Sequence, residues 1–298
     1  MRANNVESIS AIGFGEKAKL FIALMKLRLS FLVAFSSGFG YILASTNGID
    51  YMVLLMLSLG GILVSGASIA INQVIEVEYD AVMTRTKNRP LPTGRLTSNE
   101  AITFAVLCFL TGIVLLYITT NIQTVALSFI SMILYSFVYT PLKRVGPIAV
   151  FVGAIPGALP PLLGWVAATG SISYEALIIF GIQFIWQFPH FWAIAWVADE
   201  DYKKAGFKLL PGNGKKDIQT AINIMIYTLF LIPLGLLPMY FGITGINSAV
   251  VATICGVLFL AQTFGLMRDY SKKSAMKIMY GSFLYLPIVQ IAFLLDKI

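Results

Sequence analysis

Long apolar runs dominate the sequence and limit what it can fold into. Nine segments of about 20 mostly apolar residues follow one another, at 22–44, 51–73, 100–118, 122–140, 147–168, 174–197, 219–238, 248–267 and 276–295. A helix of this length crosses the hydrocarbon core of a bilayer, which is about 30 Å thick, and it satisfies its own backbone hydrogen bonds there. The sequence therefore predicts an all-α, polytopic membrane protein with about nine transmembrane helices.

Composition argues against the other broad classes. Of the 298 residues, 58% are hydrophobic and only 12% are charged, whereas a soluble domain has about 25% charged residues. That leaves too little polar surface for a water-soluble enzyme, a disordered chain or a small disulfide-stapled domain. Strictly alternating apolar residues are absent, which argues against an outer-membrane barrel. Only Cys108 and Cys255 occur, both in apolar runs, so we expect neither a disulfide framework nor a cysteine metal site.

The distribution of charge predicts how the helices are oriented. The chain has 21 basic and 14 acidic residues, and all basic residues except Lys297 fall in or beside the N-terminus, 74–99, 141–146, 198–218 and 268–275. By the positive-inside rule these segments are cytoplasmic. We therefore expect the N-terminus inside and the C-terminus outside a bacterial-type plasma membrane. The excess positive charge then serves topology and contact with lipid headgroups, and no nucleic-acid partner is expected.

The segments between the spans suggest where function lies. We expect one domain over 1–298, with a polar N-terminal segment at 1–20 and no removable signal peptide. Two of the predicted cytoplasmic loops, 74–99 and 198–218, are long and contain acidic clusters. Loops of that length in a compact protein usually carry function, so we expect the chemistry at this face.

The first polar cluster lies where the second predicted span ends. Asn72, Glu76 and Asp80 are spaced by four residues, so on an α-helix they line one face, with Glu78 opposite. Oxygen ligands of this kind suit a hard cation such as Mg²⁺, which proteins commonly hold together with substrate phosphates. A solvated helix end with ordinary ion pairs is the alternative, although polar residues at the end of an apolar span are costly and often functional.

Basic residues follow this cluster directly. Arg85, Lys87 and Arg89 come next in the chain, and guanidinium groups bind phosphate oxygens in a bidentate manner. A second basic pair, Lys143 and Arg144, ends the fourth span. That pair is equally compatible with a helix anchor whose side chains reach the membrane surface.

A second acidic cluster lies just past the sixth span. Asp199, Glu200 and Asp201 are consecutive, so one or two of them can face inward from a helix. They form either a second set of cation ligands at the same membrane face or an ordinary hydrophilic loop.

The only histidine lies within an aromatic string. His190 belongs to the sequence Trp-Gln-Phe-Pro-His-Phe-Trp, which begins at Trp186. A lone histidine in a span is more often a packing residue than a ligand. An imidazole beside aromatic rings is nevertheless suited to ligate or orient a flat aromatic substrate such as haem.

Taken together, these strings resemble the UbiA-type intramembrane prenyltransferases. Asn72-x-x-x-Glu76-x-x-x-Asp80 followed by RTKNRPL resembles the Asn/Asp-rich motif of the family. RTKNRPL, WQFPH and DYKKAGFKLLP are similar in particular to the members that use haem as acceptor, and YTPLKR and GAIPGALPPLLGW also fit. The resemblance runs from about Lys26 to the last span. The chain departs from the family pattern in two places: Glu76 stands where the wider superfamily has Asp, and the second motif does not read DxxxD.

The resemblance implies a fold and a set of site residues. The fold is a ring of nine helices around a central cavity, open toward the cytoplasmic side and capped by the two long loops. The implied catalytic residues are Asn72, Glu76, Asp80 and Asp201, and the implied ligands of the Mg²⁺ cofactor are Asn72, Glu76, Asp80, Asp199 and Asp201. The implied diphosphate ligands are Arg85, Lys87, Arg89, Lys143 and Arg144, and the implied haem contacts are His190 and Trp186.

The resemblance also implies a reaction. A farnesyl group passes from farnesyl diphosphate to a vinyl group of protohaem IX, water adds, and the product is haem O for terminal oxidases. The expected partners are these two substrates, the lipid bilayer, and a haem A synthase or terminal-oxidase assembly factor. Two alternatives stay open: a related enzyme with a quinone precursor as acceptor, and a membrane transporter of haem or lipid.

Overall fold

The computed structural model describes residues 13–212 and 214–298 and is almost entirely helical. In chain order the helices are α1 (Phe14–Met25), α2 (Leu27–Ala44), α3 (Tyr51–Ile75), α4 (Val77–Val82), α5 (Ser98–Thr119), α6 (Ile122–Ile133, continued by a π-helical segment Leu134–Tyr139), α7 (Thr140–Leu142), α8 (Ile148–Thr169), α9 (Tyr174–Val197), α10 (Asp199–Lys204), α11 (Ile218–Tyr240), α12 (Ile246–Asp269) and α13 (Lys272–Leu295). Within the described ranges, nine spans are long and apolar enough to cross a membrane. The predicted fold class is confirmed.

Side-chain caps determine where many of these helices begin. Thr97 and Glu100 form a reciprocal capping box at the start of α5, which satisfies backbone donors that the first turn leaves unpaired. Helices α3, α6, α9, α11 and α13 begin at the capping residues Asp50, Asn121, Ser173, Asp217 and Ser271. The polar residue before each apolar run therefore gives the span a defined start.

The first span begins later than the apolar run at 22–44 predicts. Lys26 adopts a left-handed backbone conformation, with φ 45° and ψ 60°, which a non-glycine residue rarely takes. This residue ends α1 and starts α2 in a new direction. Residues 1–12 of the predicted polar segment lie outside the described residues, and 14–20 form the first turns of α1.

Helices α2 and α8 approach each other closely in the middle of the protein. A Cβ atom added at Gly40 would lie 2.0 Å from the carbonyl oxygen of Pro161, and one added at Gly164 would lie 1.8 Å from that of Ser37. Any larger residue at either glycine would therefore push the two backbones apart. Small residues at helix crossings are the usual means of close packing in membranes.

The two ends of the helix bundle differ in character. One end, which we call the charged face, carries α4, α10 and the segments 83–97, 205–212 and 214–217. Buried Met83, Ala205 and Phe207 pack these segments against each other. The other end, the short-loop face, has only brief connections between helices. The fold thus gathers both long polar loops into one packed unit over one end of the bundle.

Lys297, the basic residue outside the predicted cytoplasmic set, has a structural role at the short-loop face. Its ammonium group donates to the carbonyl oxygens of Ile42 and Ser45 at the end of α2, where a positive charge complements the helix dipole. The neighbouring Asp296 accepts from the backbone N–H of Ser248 at the start of α12, 2.7 Å away. The end of α13 therefore joins two other helices, which explains the exception in the charge pattern.

We expect Lys297→Met to lower thermal stability without changing the active site. Loss of the charged cap should cost about 1–2 kcal/mol and lower the melting temperature of the detergent-purified protein by about 2–4 °C. Lys277→Met is the matched control, because Lys277 is an exposed lysine in α13, the helix that ends just before Lys297. Equal melting curves for both variants would contradict the capping role.

Candidate active site

The predicted acidic row exists and is buried. Helix α3 ends at Ile75, but the N–H of Glu76 donates to the Asn72 carbonyl and that of Asp80 donates to the Glu76 carbonyl, at 3.0 and 2.8 Å. These bonds carry the helical repeat across the junction into α4. Asn72, Glu76 and Asp80 are all buried, whereas Glu78 is exposed. The four-residue spacing therefore places the three side chains on one inward face, as predicted.

Asp80 is the most enclosed carboxylate of the row. It is fully buried, and its Oδ2 lies 2.6 Å from the Nη1 of Arg89. Its Oδ1 is also buried and has no hydrogen-bond partner among the described residues. An unpaired buried carboxylate oxygen is costly, so this atom is suited to a cation that arrives with a substrate.

Glu76 is paired with the basic turn at the end of the fourth span. Its Oε1 lies 2.8 Å from the Nζ of Lys143, and both side chains are largely buried. The contact is a close ion pair whose angle does not meet hydrogen-bond geometry. The ammonium group also lies 4.7 Å from the centre of the Tyr139 ring, which favours a cation there. Lys143 thus faces the acidic row rather than lipid headgroups.

A π-helical segment positions this turn. In Leu134–Tyr139 the helix widens, and the N–H of Thr140 donates to the carbonyl of Tyr135, five residues back. The hydroxyl of Thr140 then accepts a 2.9 Å hydrogen bond from the amide group of Asn72. Single π-helical turns inside α-helices occur frequently at functional sites. Here the turn joins the fourth span directly to the acidic row.

Lys26 is a site residue that the sequence reasoning used only for topology. Burial is the main cause that lowers its pKa, and together with the neighbouring positive charges of Arg89 and Lys143, and against the opposing effect of Asp80, it brings the pKa to about 7. This ammonium group therefore belongs to the same cluster of charges. Its left-handed backbone lies at the junction of α1 and α2, and a lysine at the start of the first span was the only signal in the sequence.

Asp201 ties the two long loops together. Its two carboxylate oxygens each accept a 3.1 Å hydrogen bond, one from the backbone N–H of Thr84 and one from that of Arg85. Partial desolvation raises the pKa of Asp201, but these hydrogen bonds outweigh it and lower the pKa to about 2. Lys204 adds contacts to both Asp201 and Thr84. In this structure Asp201 closes the charged face instead of facing the acidic row.

Asp199 also forms ion pairs within the loops. Its carboxylate lies 2.9 Å from the ammonium of Lys203 and 3.2 Å from that of Lys216, and Glu200 is exposed. Across residues 13–212 and 214–298, no three acidic, imidazole or thiol side chains come together as a complete metal site. The roles of Asp199 and Asp201 as metal ligands stay predictions.

The remaining basic residues lie on the charged face. Arg85 stacks over the Tyr202 ring at 5.6 Å, and Arg144 lies 5.0 Å from the centre of the Tyr79 ring and donates to its hydroxyl at 2.7 Å. Lys87 is exposed to solvent. Of the five predicted diphosphate ligands, Arg89 and Lys143 therefore contact the acidic row directly, and the other three have no ion pair with it.

His190 and Trp186 lie deeper, where α9 meets α13. The two rings stack with centres 4.4 Å apart. Both bind the same residue of α13: His190 Nδ1 lies 2.8 Å from the hydroxyl oxygen of Ser282, and Trp186 Nε1 donates to its carbonyl at 3.1 Å. The aromatic string is therefore held in a defined orientation. Sequence reasoning did not identify Ser282, which lies 92 residues away.

The donor set fits a divalent cation that is shared with a phosphate-bearing substrate. Asp80 Oδ1 is buried and unpaired, and Glu76 and Asn72 bring two more oxygen-bearing side chains to the same face. Mg²⁺ is usually held by one or two carboxylates and completed by water and substrate phosphates. The nearby Lys26, Arg89 and Lys143 can neutralise those phosphates.

Comparisons with known proteins show the family and the fold. The UbiA prenyltransferase family model matches residues 31–286. A protein from Cytophaga hutchinsonii named protoheme IX farnesyltransferase is 53% identical over 93% of this chain and 97% of its own length. The UbiA homologue from Archaeoglobus fulgidus bound to GPP and Mg²⁺ superimposes with a TM-score of 0.62 at 18% identity, over 92% of this chain and 99% of its own. A structure of digeranylgeranylglyceryl phosphate synthase superimposes with a TM-score of 0.78 at 23% identity, over 94% and 98%.

Proposed function

The chain belongs to the UbiA prenyltransferase family, and from that premise we propose that it transfers a farnesyl group from farnesyl diphosphate to protohaem IX. The product is haem O. The observation that carries the proposal is the buried Asp80, which has one oxygen on Arg89 and the other unpaired, inside a cluster that also holds Lys26 and Lys143. Such a cluster suits a diphosphate with a divalent cation better than it suits packing alone.

The basic residues hold the leaving group. Arg89 and Lys143 already form ion pairs with carboxylates. When a diphosphate arrives with its cation, the two basic side chains can bind the diphosphate while the carboxylates bind the cation. When the allylic carbon–oxygen bond breaks, the electron pair leaves with the diphosphate. These cations and Lys26 then stabilise the new negative charge, which is the largest electrostatic demand of the reaction.

Mg²⁺ is proposed to sit on Asp80 and Glu76, with Asn72 alongside, and when bound it would supply Lewis-acid neutralisation of the diphosphate oxygens. The side chains that would hold it are buried and oriented before any substrate binds. Asp201 contributes by fixing the backbone at Thr84 and Arg85, so that the first loop stays over the cluster. To bind Mg²⁺ as well, Asp201 would have to release these backbone groups, and Asp199 would have to release Lys203 and Lys216.

The acceptor is proposed to bind beside α9, with His190 and Trp186 as haem contacts. A haem vinyl group attacks the allylic cation, water adds to the resulting vinyl-derived cation, and a proton is released to solvent. The aromatic ring of Tyr139, next to Lys143, is proposed to favour positive charge near the breaking bond. Apolar helix faces keep bulk water from the first cation.

The charged face is proposed to be cytoplasmic, with the N-terminus inside and the C-terminus outside. Every basic residue that the structure describes, except Lys297, lies in or beside the segments at this face, and the positive-inside rule assigns such a face to the cytoplasm. Farnesyl diphosphate is charged, so it reaches the site from that side. A haem A synthase or terminal-oxidase assembly factor as partner stays a prediction.

The decisive experiment supplies purified protein in lipid with farnesyl diphosphate, Mg²⁺ and either haem or 4-hydroxybenzoate. We expect chromatography to show haem O from the haem sample and no prenylated benzoate. We expect a chelator of divalent cations to abolish turnover and added Mg²⁺ to restore it. Prenylated benzoate with unchanged haem would favour the quinone-precursor alternative, and full activity in chelator would contradict the metal assignment.

A transporter is the less well supported alternative. Most of the described charges collect at one face of the bundle, whereas transporters place their substrate site near the middle of the membrane. Uptake of labelled haem into vesicles that contain the protein, without any covalent product, would support transport and contradict the enzyme.

A further inference from the structure

The hydroxyl group of Ser282 makes two contacts that together determine where the proton of His190 lies. Ser282 Oγ is 2.6 Å from the carbonyl oxygen of Met279 in its own helix and 2.8 Å from His190 Nδ1. Two oxygen atoms repel each other at 2.6 Å unless a hydrogen lies between them. The single hydroxyl hydrogen therefore points at Met279, and only the lone pairs of the oxygen face the imidazole.

His190 must then be the donor in the second contact. Because a lone pair of the Ser282 hydroxyl faces Nδ1, this nitrogen must carry a proton. An unprotonated Nδ1 would present its own lone pair to the oxygen, and the two lone pairs would repel each other. Within the described residues the contacts of this ring are a hydroxyl group and aromatic rings, and no carboxylate bonds to it. A buried imidazolium without a counter-charge is costly, so the ring is neutral and carries this one proton. Nε2 is left with an unprotonated lone pair.

The location of His190 on α9 directs the ring toward the interior of the protein. Gln183, Gln187 and His190 are spaced i, i+4 and i+7, which is one face of a helix. On that face Gln183 bonds Ser36 of α2 and Gln290 of α13, and Gln183 and Gln187 both donate to the carbonyl of Gly157 in α8. The face therefore points to the place where α2, α8 and α13 meet.

Trp186 limits how the imidazole can turn. Its indole ring stacks on the imidazole, and its N–H is anchored on the carbonyl of Ser282. The ring of His190 is thus held in its plane by stacking and along one edge by the hydroxyl group. A metal-binding histidine typically has this arrangement, in which one nitrogen donates to a fixed oxygen and the other carries the metal.

We propose that Ser282 is a positioning residue that fixes His190 in the Nδ1–H form, with Nε2 presented as the axial ligand for the iron of the haem acceptor. The inference rests on the proposed function for the identity of the metal. Its first part, the protonation state of the ring, depends only on the protein. The two parts can therefore be tested separately.

The protonation state can be read directly, because the chain contains a single histidine. In haem-free protein labelled with ¹⁵N-histidine, we expect the Nδ1 resonance in the protonated range and Nε2 in the unprotonated range. Ser282→Ala should move the signals toward the opposite form, and Ser282→Thr, which keeps the hydroxyl, should retain the original pattern. Ser128→Ala is the matched control, since Ser128 is a buried serine bonded to its own helix at Thr124.

The second part of the inference, the binding of haem iron by Nε2, is tested with the same variants. We expect the visible spectrum of bound haem to indicate histidine ligation, and Ser282→Ala to weaken haem binding by about 10- to 100-fold while Ser128→Ala binds normally. A protonated Nε2 in the parent protein, or identical ¹⁵N signals in Ser282→Ala, would overturn the inference whether or not haem O is made. Haem O synthesis by His190→Ala with an unchanged spectrum would overturn the ligand role and leave the proposed function intact.

Discussion

Asp80→Asn is expected to reduce haem O synthesis by at least about 10³-fold. In the parent protein, one oxygen of Asp80 binds Arg89 at 2.6 Å and the other, Oδ1, is unpaired. The substitution keeps the shape of this side chain but removes its negative charge. Without that charge, Arg89 loses its carboxylate partner and the proposed cation loses its most enclosed ligand. The rate of diphosphate release from radiolabelled farnesyl diphosphate measures the effect.

The matched control is Glu78→Gln, two residues earlier on the same short helix. Glu78 is exposed and lies away from the acidic row, so its variant should retain nearly full activity. Asp80→Glu keeps the charge with one more methylene and should fall between the two. Gel filtration and thermal melting show whether each variant is folded. A folded, fully active Asp80→Asn protein would remove this carboxylate from the mechanism.

Lys143→Met is expected to reduce kcat/KM for farnesyl diphosphate by about 10²- to 10³-fold. The ammonium group lies 2.8 Å from Glu76 and faces the ring of Tyr139, so it is suited to bind the phosphates of the proposed substrate beside the acidic row. Methionine keeps the length and removes the charge. Steady-state kinetics at saturating haem give the ratio, and the cation concentration is held constant.

Lys208→Met provides the comparison, because Lys208 is exposed and meets this turn only through its backbone N–H, which donates to the Lys143 carbonyl. Lys143→Met also leaves Glu76 buried without its partner, which destabilises a protein. The double variant with Glu76→Gln removes that penalty. Because Glu76 is itself a proposed cation ligand, the double variant is compared with Glu76→Gln alone. If the two are equally stable and the double variant is less active, the loss is catalytic, whereas equal activity would reduce Lys143 to a structural partner of Glu76.

Local patterns account for what could be predicted from the sequence. A run of apolar residues must span the bilayer as a helix because backbone groups find no water there. The four-residue spacing of Asn72, Glu76 and Asp80 follows from the helical repeat, so their common face was predictable. The start of α2 was not, because the run of apolar residues continues through Lys26, where the backbone turns left-handed.

The contacts between different helices and loops could not be predicted from these local patterns. Glu76 meets Lys143 of another span, Asp201 bonds the backbone of a loop 117 residues away at Thr84, and His190 meets Ser282 of the last helix. None of these pairs has a fixed sequence spacing. Which side chains meet depends on how closely the helices pack.

The sequence by itself determined the number of spans, the face that collects the charges and the row of acidic side chains, because periodicity and the cost of burying charge act over a few residues. Only the tertiary structure decided which cation pairs with each acid, that Asp201 joins the two loops, and which nitrogen of His190 keeps its lone pair. These features depend on contacts between helices such as the close approach at Gly40 and Gly164, and packing of that kind has no signature in a local stretch of sequence.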